Sequence, residues 1–325
     1  MKKNFSRILV VSLSNIGDVI LTLPVMNVLK GNFPQAALSV VIGPKAQALL
    51  DGNPFFEAVY CYDKHADIMK KWRFIRELRR QKFDLVIDLK NTAIPFLIGA
   101  RTFNWPRLKK KKRQYMGDQH LQALDFLSLD HRRQAALTLY DDADYRAMLA
   151  VCAHYGIAPA QVSSTVIMAP AARSSFKSWP VEKFAGLCRL VRDRYSDYTI
   201  LLIGSPEETA VVGQVAAHAG KAVIAAAGAF SLKQCAALID HAALLVSNDS
   251  AAMHMAHYLN RPVVAIFGPT DPVKYGKNSE TSVIVVSDEA ACLPCEDSSC
   301  KRGRECLTQL EVEEVFEQVR MFLRA

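Results

Sequence analysis

The chain has 325 residues, half of them hydrophobic and 22% charged, which excludes disordered, fibrous and disulfide-stapled mini-protein classes. At roughly 150 residues per domain, it is long enough for about two domains. The net charge of +8 is unevenly shared: residues 1–160 carry 24 Lys/Arg against 14 Asp/Glu, and residues 161–325 carry 16 against 18. A basic first half points to an anionic partner for that half.

The N-terminus imitates a signal peptide, with Lys2 and Lys3 ahead of an apolar run. The run Ile8–Leu13 is short, however, has Arg7, Asn15 and Asp18 around it, and is followed by no small-residue cleavage site. It reads as a buried first strand. No stretch approaches the roughly 18 uninterrupted apolar residues of a membrane span, so a cytoplasmic protein that at most touches a membrane surface is expected. Further strands are expected at Leu38–Ile42, Ala58–Tyr62 and Leu85–Leu89, with amphipathic helices over Val19–Lys30 and Trp72–Gln81. In the second half, strands are expected at Thr165–Ala169, Thr199–Ile203, Ala222–Ala226, Leu244–Ser247, Val263–Phe267 and Ser282–Val286. Helices there cover Val181–Tyr195, Glu207–Ala219 and Ser231–Asp240. Strands apolar on both faces and separated by helices indicate an α/β protein with parallel sheets covered on both sides. The pattern occurs twice, so two Rossmann-like domains are expected, over 1–158 and 159–325. The last helix, 311–323, is open to packing on either domain.

Polar motifs fall at strand ends, where ligands bind in open α/β sheets. The first, Ser12 to Val19, contains one glycine and lacks the GxGxxG dinucleotide fingerprint. It offers Asp18 as a carboxylate for chemistry or as a first-turn acid favoured by the helix dipole. The second, Ser247 to His254, places small residues at a helix start, where backbone N–H groups suit a phosphate. Asp249 there suits sugar hydroxyls or an N-cap, and His254 suits a structural role. The third, Phe267-Gly268-Pro269-Thr270-Asp271-Pro272, is a rigid turn. The fourth, Ala169 to Pro180, carries Arg173 and Lys177, cations for a pyrophosphate or ordinary surface charge.

Taken together, "GDVILTLPV", "DLVIDLKN", "FKSWPVEKF", "NDSAAMHMAHYLNRPVVAIFGPTDP" and the trailing "CLPC" resemble the glycosyltransferase family 9 enzymes, the ADP-heptose:lipopolysaccharide heptosyltransferases. The resemblance spans Ile8 to about Val319. It implies a GT-B fold, two Rossmann-like domains facing across a cleft, with no metal or other cofactor required for catalysis. It implies an inverting transfer of heptose from ADP-heptose, bound by the C-terminal domain, to the lipopolysaccharide inner core, bound by the N-terminal one. The partners implied are the nucleotide sugar, an anionic lipid-linked sugar acceptor and a membrane surface at the inner face of the inner membrane. By position, Asp18 matches the general base and Lys177 the cation at the leaving pyrophosphate. Arg173, Glu208, Phe230, Ser231, Asp249, Ser250, Ala251 and His254 match donor-binding positions, with Glu208 at the ribose and Phe230-Ser231 at the adenine. Two departures concern the donor. Ala251 stands where the family usually has glycine, and Ala171-Ala172-Arg173 replaces residues that are hydroxylic in some members.

Two basic runs, one of Lys70, Lys71, Arg73, Arg76, Arg79 and Arg80 and one of Arg101, Arg107 and Lys109–Arg113, suit the anionic acceptor and a membrane surface, with solvated charge as the plain alternative. Nucleic acid is the rival anion, but no recognition fold or aromatic platform accompanies these runs. Asp142-Ala143-Asp144 mimics a metal-binding DxD but falls on an expected helix. Cys292, Cys295, Cys300 and Cys306 have the density of a structural metal cluster, with free thiols as an equal alternative and disulfides disfavoured by the cytosol. Rival functions are a family member transferring another sugar from a different nucleotide, or a non-catalytic nucleotide-sugar-binding protein.

Overall fold

Parallel strands buried on both faces need apolar side chains at every position, and the first strand has them: Ile8, Leu9, Val10 and Val11 are all at most 1% exposed. In the computed structural model this strand, β1 (Arg7–Val11), is the middle of a five-stranded sheet. The structure describes residues 4–12, 15–104, 113–220, 223–287, 292–295, 300 and 302–324. The other strands of the first sheet are β2 (Ala37–Ile42), β3 (Ala58–Cys61), β4 (Leu85–Asp88) and β5 (Thr102–Phe103). Their order is β3-β2-β1-β4-β5, and every pairing is parallel. The expected strands are all present. The two-residue β5 was not foreseen, because Thr102-Phe103 forms no apolar run.

The helix expected over Val19–Lys30 is two helices, Ile16–Ile20 and Leu23–Asn32. The chain turns at Leu21-Thr22, because Pro24 is accommodated only in a first helical turn. The buried hydroxyls of Ser12 and Thr22, 2.6 Å apart, tie the end of β1 to this break.

The second sheet comprises β6 (Thr165–Ala169), β7 (Thr199–Leu202), β8 (Val223–Ala225), β9 (Leu244–Asn248), β10 (Val263–Ile266) and β11 (Ser282–Val285). Its order is β11-β10-β9-β6-β7-β8, again wholly parallel. The helices Val181–Arg194, Thr209–Ala219, Leu232–His241 and Ala251–Leu259 alternate with the strands. The core is centred on Trp179 and Phe184, whose rings meet at 5.2 Å. Fully burying a Phe is worth about 1.5–3 kcal/mol. Trp179 satisfies its one donor by giving its indole N–H to Leu310 O at 3.1 Å.

The chain divides into Met1–Leu139 and Tyr140–Ala325. The helix Asp142–His154 packs on Leu232–His241 and so goes with the second unit, and Gly156 at φ +79° ends it. The sequence-based limit at 158/159 lies beyond that helix. The helix Val312–Arg320 packs on Val181–Arg194 and beside β10 and β11, so the end of the chain is part of the second unit.

Candidate functional site

In each sheet the strand order reverses at one place, and the crevice outside the strand ends there receives ligands. In the second sheet the reversal lies between β6 and β9. The loop after β6 carries Lys177, in a short 3-10 turn over Ser175–Lys177, and the loop after β9 carries Asp249. Lys177 Nζ lies 2.6 Å from Asp249 Oδ2. The same oxygen accepts the Thr270 hydroxyl at 2.8 Å, and His254 Nε2 is 3.8 Å from Oδ1. Asp249, Thr270 and His254 are buried, while the Lys177 side chain is a third exposed. A buried carboxylate requires such partners, since leaving it unpaired costs several kcal/mol.

Asn248, wholly buried at the end of β9, holds the Lys177 loop at both ends. Its amide Nδ2 donates to Pro170 O at 2.8 Å, and its Oδ1 accepts the Trp179 backbone N–H at 3.0 Å. The loop is therefore fastened to the strand that bears Asp249. Ser250 is the residue before the helix Ala251–Leu259, and its hydroxyl meets that of Ser247 at 2.8 Å. Ala251 is the first helical residue.

The remaining expected donor residues lie at the same carboxyl edge. Glu208 ends a 3-10 turn after β7, where its carboxylate accepts Ser205 N–H at 2.7 Å. Ser231 caps Leu232–His241 after β8, accepting Gln234 N–H at 3.2 Å, and Phe230 precedes it, partly buried. Arg173 is exposed in the Lys177 loop.

In the first sheet the reversal lies between β1 and β4. Asp18 follows β1, in the helix Ile16–Ile20, and Lys90 follows β4. Lys90 Nζ is 3.8 Å from Asp18 Oδ1, and both side chains are partly exposed. Asp18 Oδ2 also accepts the Asn15 backbone N–H at 3.3 Å. The helix-start role that the sequence left open is thus present, together with a cation that the sequence reading did not single out. Lys90 is set by Asp88, whose carboxylate accepts Lys90 N–H at 2.9 Å, Thr92 N–H at 2.6 Å and the Thr92 hydroxyl at 2.8 Å. Burial nonetheless pushes the Asp88 carboxyl above its ordinary range, with these hydrogen bonds opposing the rise.

Lys70, Lys71 and Arg73 lie on the helix Ile68–Arg80, which starts after β3 at that carboxyl edge. Asp67 caps it by accepting Lys70 N–H at 2.9 Å. Lys109 and Lys110 fall outside the described residues. Asp142-Ala143-Asp144 opens the helix Asp142–His154, and Asp144 and Asp141 cap one another there, which matches the helical placement expected.

For the cysteine cluster the sequence left a structural metal and free thiols open. Among the described residues, no three His, Cys, Asp or Glu side chains are placed to hold a metal ion. Cys292, Cys295, Cys300 and Cys306 are free thiols. Cys306 is committed to the core beside Leu307, and burial, with the nearby sulfurs adding to it, pushes its thiol up to about 11. Cys300 is exposed instead, and its sulfur accepts the Arg304 N–H at 3.2 Å.

Asn248 and Thr270 were quoted in the sequence motifs without a role. Their partners are distant in sequence, so only the fold assigns them one.

Two doubly wound parallel sheets in one chain, each with charged side chains at its reversal of strand order, are the framework of the GT-B glycosyltransferases. Residues 124–304 match glycosyltransferase family 9 (heptosyltransferase), and the chain belongs to that family. It is 28% identical over 284 residues to lipopolysaccharide heptosyltransferase 3 of Escherichia coli, covering 79% of this chain and 82% of that one. The crystal structure of the family 9 glycosyltransferase from Veillonella parvula superposes with a TM-score of 0.85 at 22% identity, covering 99% of this chain and 98% of that one. The E. coli heptosyltransferase WaaC with ADP superposes with a TM-score of 0.71 at 20% identity, over 98% of this chain and all of that one. The chain is a glycosyltransferase of the heptosyltransferase kind.

Proposed function

We propose that this enzyme moves a heptose from ADP-heptose to a hydroxyl of a phosphorylated, lipid-linked inner-core sugar, with inversion and without a catalytic metal. The observation that carries the reading is the joint presence of a carboxylate, Asp18, and a partly exposed cation, Lys177, each at the ligand-binding crevice of its own sheet. Asp18 accepts the proton of the attacking hydroxyl as the new bond to the anomeric carbon forms. The bond from that carbon to the phosphate oxygen breaks, and Lys177 meets the charge that develops on the departing ADP. Lys177 then exchanges a carboxylate partner for a phosphate one, and Asp249 is freed to accept from sugar hydroxyls.

In this reading the donor contacts fall on the residues that resemble the family motifs. Ser250, Ala251 and the helix they open receive phosphate, Arg173 adds charge, Glu208 takes the ribose, Phe230 and Ser231 flank the adenine, and His254 borders the sugar. The cations Lys70, Lys71, Arg73, Lys109 and Lys110 meet the anionic acceptor. Among the described residues no helix is long and apolar enough to cross a membrane. Work at the cytoplasmic face of the inner membrane, as a peripheral protein, fits an acceptor anchored there.

A thermal-shift panel of ADP, UDP and GDP tests the donor. ADP should stabilise the most, by about 2.7 kcal/mol at a hundredfold excess over its dissociation constant. A larger shift with UDP or GDP overturns the ADP-heptose reading and favours another donor sugar.

A further inference from the structure

The helix Ile68–Arg80 is exposed at its start and partly buried further along. Ile75 and Leu78 are buried against the first sheet. Toward its N-terminal end, by contrast, Ile68, Met69 and Trp72 stand 66%, 70% and 61% exposed. Positions 68, 72, 76 and 79 follow one another along a helix face, so this apolar first turn runs on into Arg76, Arg79 and Arg80. Within the helix, six cations accompany a single carboxylate, Glu77. Asp67, just ahead of the helix, is engaged by the Lys70 backbone N–H at 2.9 Å and its Nζ at 3.6 Å. The short helix Ile94–Leu97, packed beside it, adds Phe96 and Leu97, each about half exposed.

We infer that this face docks on an anionic lipid bilayer, with Ile68, Met69 and Trp72 entering the interface and the arginines meeting the lipid phosphates. Large apolar side chains at one end of a strongly cationic helix fit a surface that is apolar within and negative at its rim. A protein partner would have to supply both an apolar recess and a compensating acidic ring, whereas an anionic bilayer presents both over any area. Trp suits the interfacial depth because its ring is apolar and its N–H remains able to reach water or phosphate.

The place in the fold gives the contact its use. Strands β1 and β3 are parallel within one sheet, so their carboxyl ends share an edge. Asp18 follows the end of β1 and Ile68 the end of β3. Docking therefore turns the edge that carries Asp18 toward the bilayer from which a lipid-linked acceptor projects. That use rests on the acceptor reading proposed above, whereas the docking itself does not.

The test employs the full chain and vesicles of phosphatidylglycerol and phosphatidylethanolamine, compared with phosphatidylcholine alone. The protein should sediment with the anionic vesicles at low salt, and binding should weaken at high salt. Trp72 emission should shift to the blue on binding, and Trp72→Phe should lose that part of the shift. The variant Ile68→Ser/Met69→Ser/Trp72→Ser should partition at least tenfold more weakly, with an unchanged melting temperature because these side chains are exposed. Its turnover of a water-soluble, deacylated acceptor should match the parent, while turnover of the same acceptor in vesicles should fall. Equal partitioning of parent and variant, or no preference for anionic vesicles, overturns the proposal. A parent dimer that the triple variant converts to a monomer overturns it too, since the face would then belong to a second copy. Failure of both proteins to turn over the soluble acceptor counts against the acceptor reading, and vesicle binding still decides the docking.

Discussion

Lys177 and Asp249, 72 residues apart, are joined end to end at 2.6 Å where the strand order of the second sheet reverses. The pair keeps a buried carboxylate neutralised, and in the reaction proposed above a phosphate of the donor competes for the lysine.

Replacing Lys177 with Met should therefore act twice. Turnover should fall by about 10²–10³-fold, the scale seen when one donor to a developing anion is removed. Stability should fall by about 1–3 kcal/mol, because Asp249 keeps only the Thr270 hydroxyl and the more distant His254. Steady-state kinetics and thermal melts measure the two effects separately. Turnover near that of the parent would remove Lys177 from the reaction.

Asp18→Asn preserves the size of the side chain and its contact with the Asn15 N–H. It removes the proton acceptor, so turnover should drop by about 10²–10⁴-fold. Calorimetric binding of ADP should be unaltered, because the proposed donor residues lie in the other unit. An active Asp18→Asn enzyme would leave Asp18 as a helix-start residue paired with Lys90.

Asn248→Ala should release both ends of the Lys177 loop. Two buried groups, Pro170 O and the Trp179 N–H, lose their partner. The stability cost is about 1–3 kcal/mol for each group left unsatisfied. Because the loop would no longer be held beside β9, KM for the donor should rise along with the fall in kcat. Asn248→Asp should restore the contact to the Trp179 N–H alone, and with it part of the donor affinity. A variant that loses stability and keeps its kinetic constants would reduce Asn248 to a packing residue.

His257 makes acid stability testable. It is buried, its Nε2 lies 2.8 Å from the Ser282 hydroxyl, and burial pushes it down to about 3. His254 and Lys277 add to that shift, and Asp249 opposes it. The folded chain thus refuses a proton that the unfolded chain accepts at about pH 6.5. Stability is full above that pH and falls as the pH drops from 6.5 toward 3, by up to about 1.4 kcal/mol per unit. Urea unfolding at pH 7, 5.5 and 4.5 should show the slope, and His257→Gln should flatten it. An equal slope in both proteins would place the acid sensitivity elsewhere.

Much of this molecule is legible in one dimension because parallel strands advertise themselves as unbroken apolar runs, as in Arg7–Val11 and Thr165–Ala169. Where a strand is short the signal vanishes, as with Thr102-Phe103. A proline can likewise divide what periodicity reads as one helix, as at Leu21-Thr22. The motif positions at strand ends were readable for the same reason as the strands. The contacts among them were not, since Asn248 reaches Pro170 and Trp179, 78 and 69 residues away. Cysteine density left metal and free thiols undecided, because spacing says nothing about whether a thiol such as Cys306 is needed by the core.

The last helix, Val312–Arg320, folds back onto its own unit, so each unit is one uninterrupted stretch of chain and a single peptide bond, Leu139–Tyr140, links them. One crossover in the gene at that point exchanges the half bearing Asp18 for another without cutting any sheet or core. Under the proposed division of acceptor and donor between the units, the two substrate preferences can be inherited as separate cassettes, and chimaeras between family members have a natural splice position.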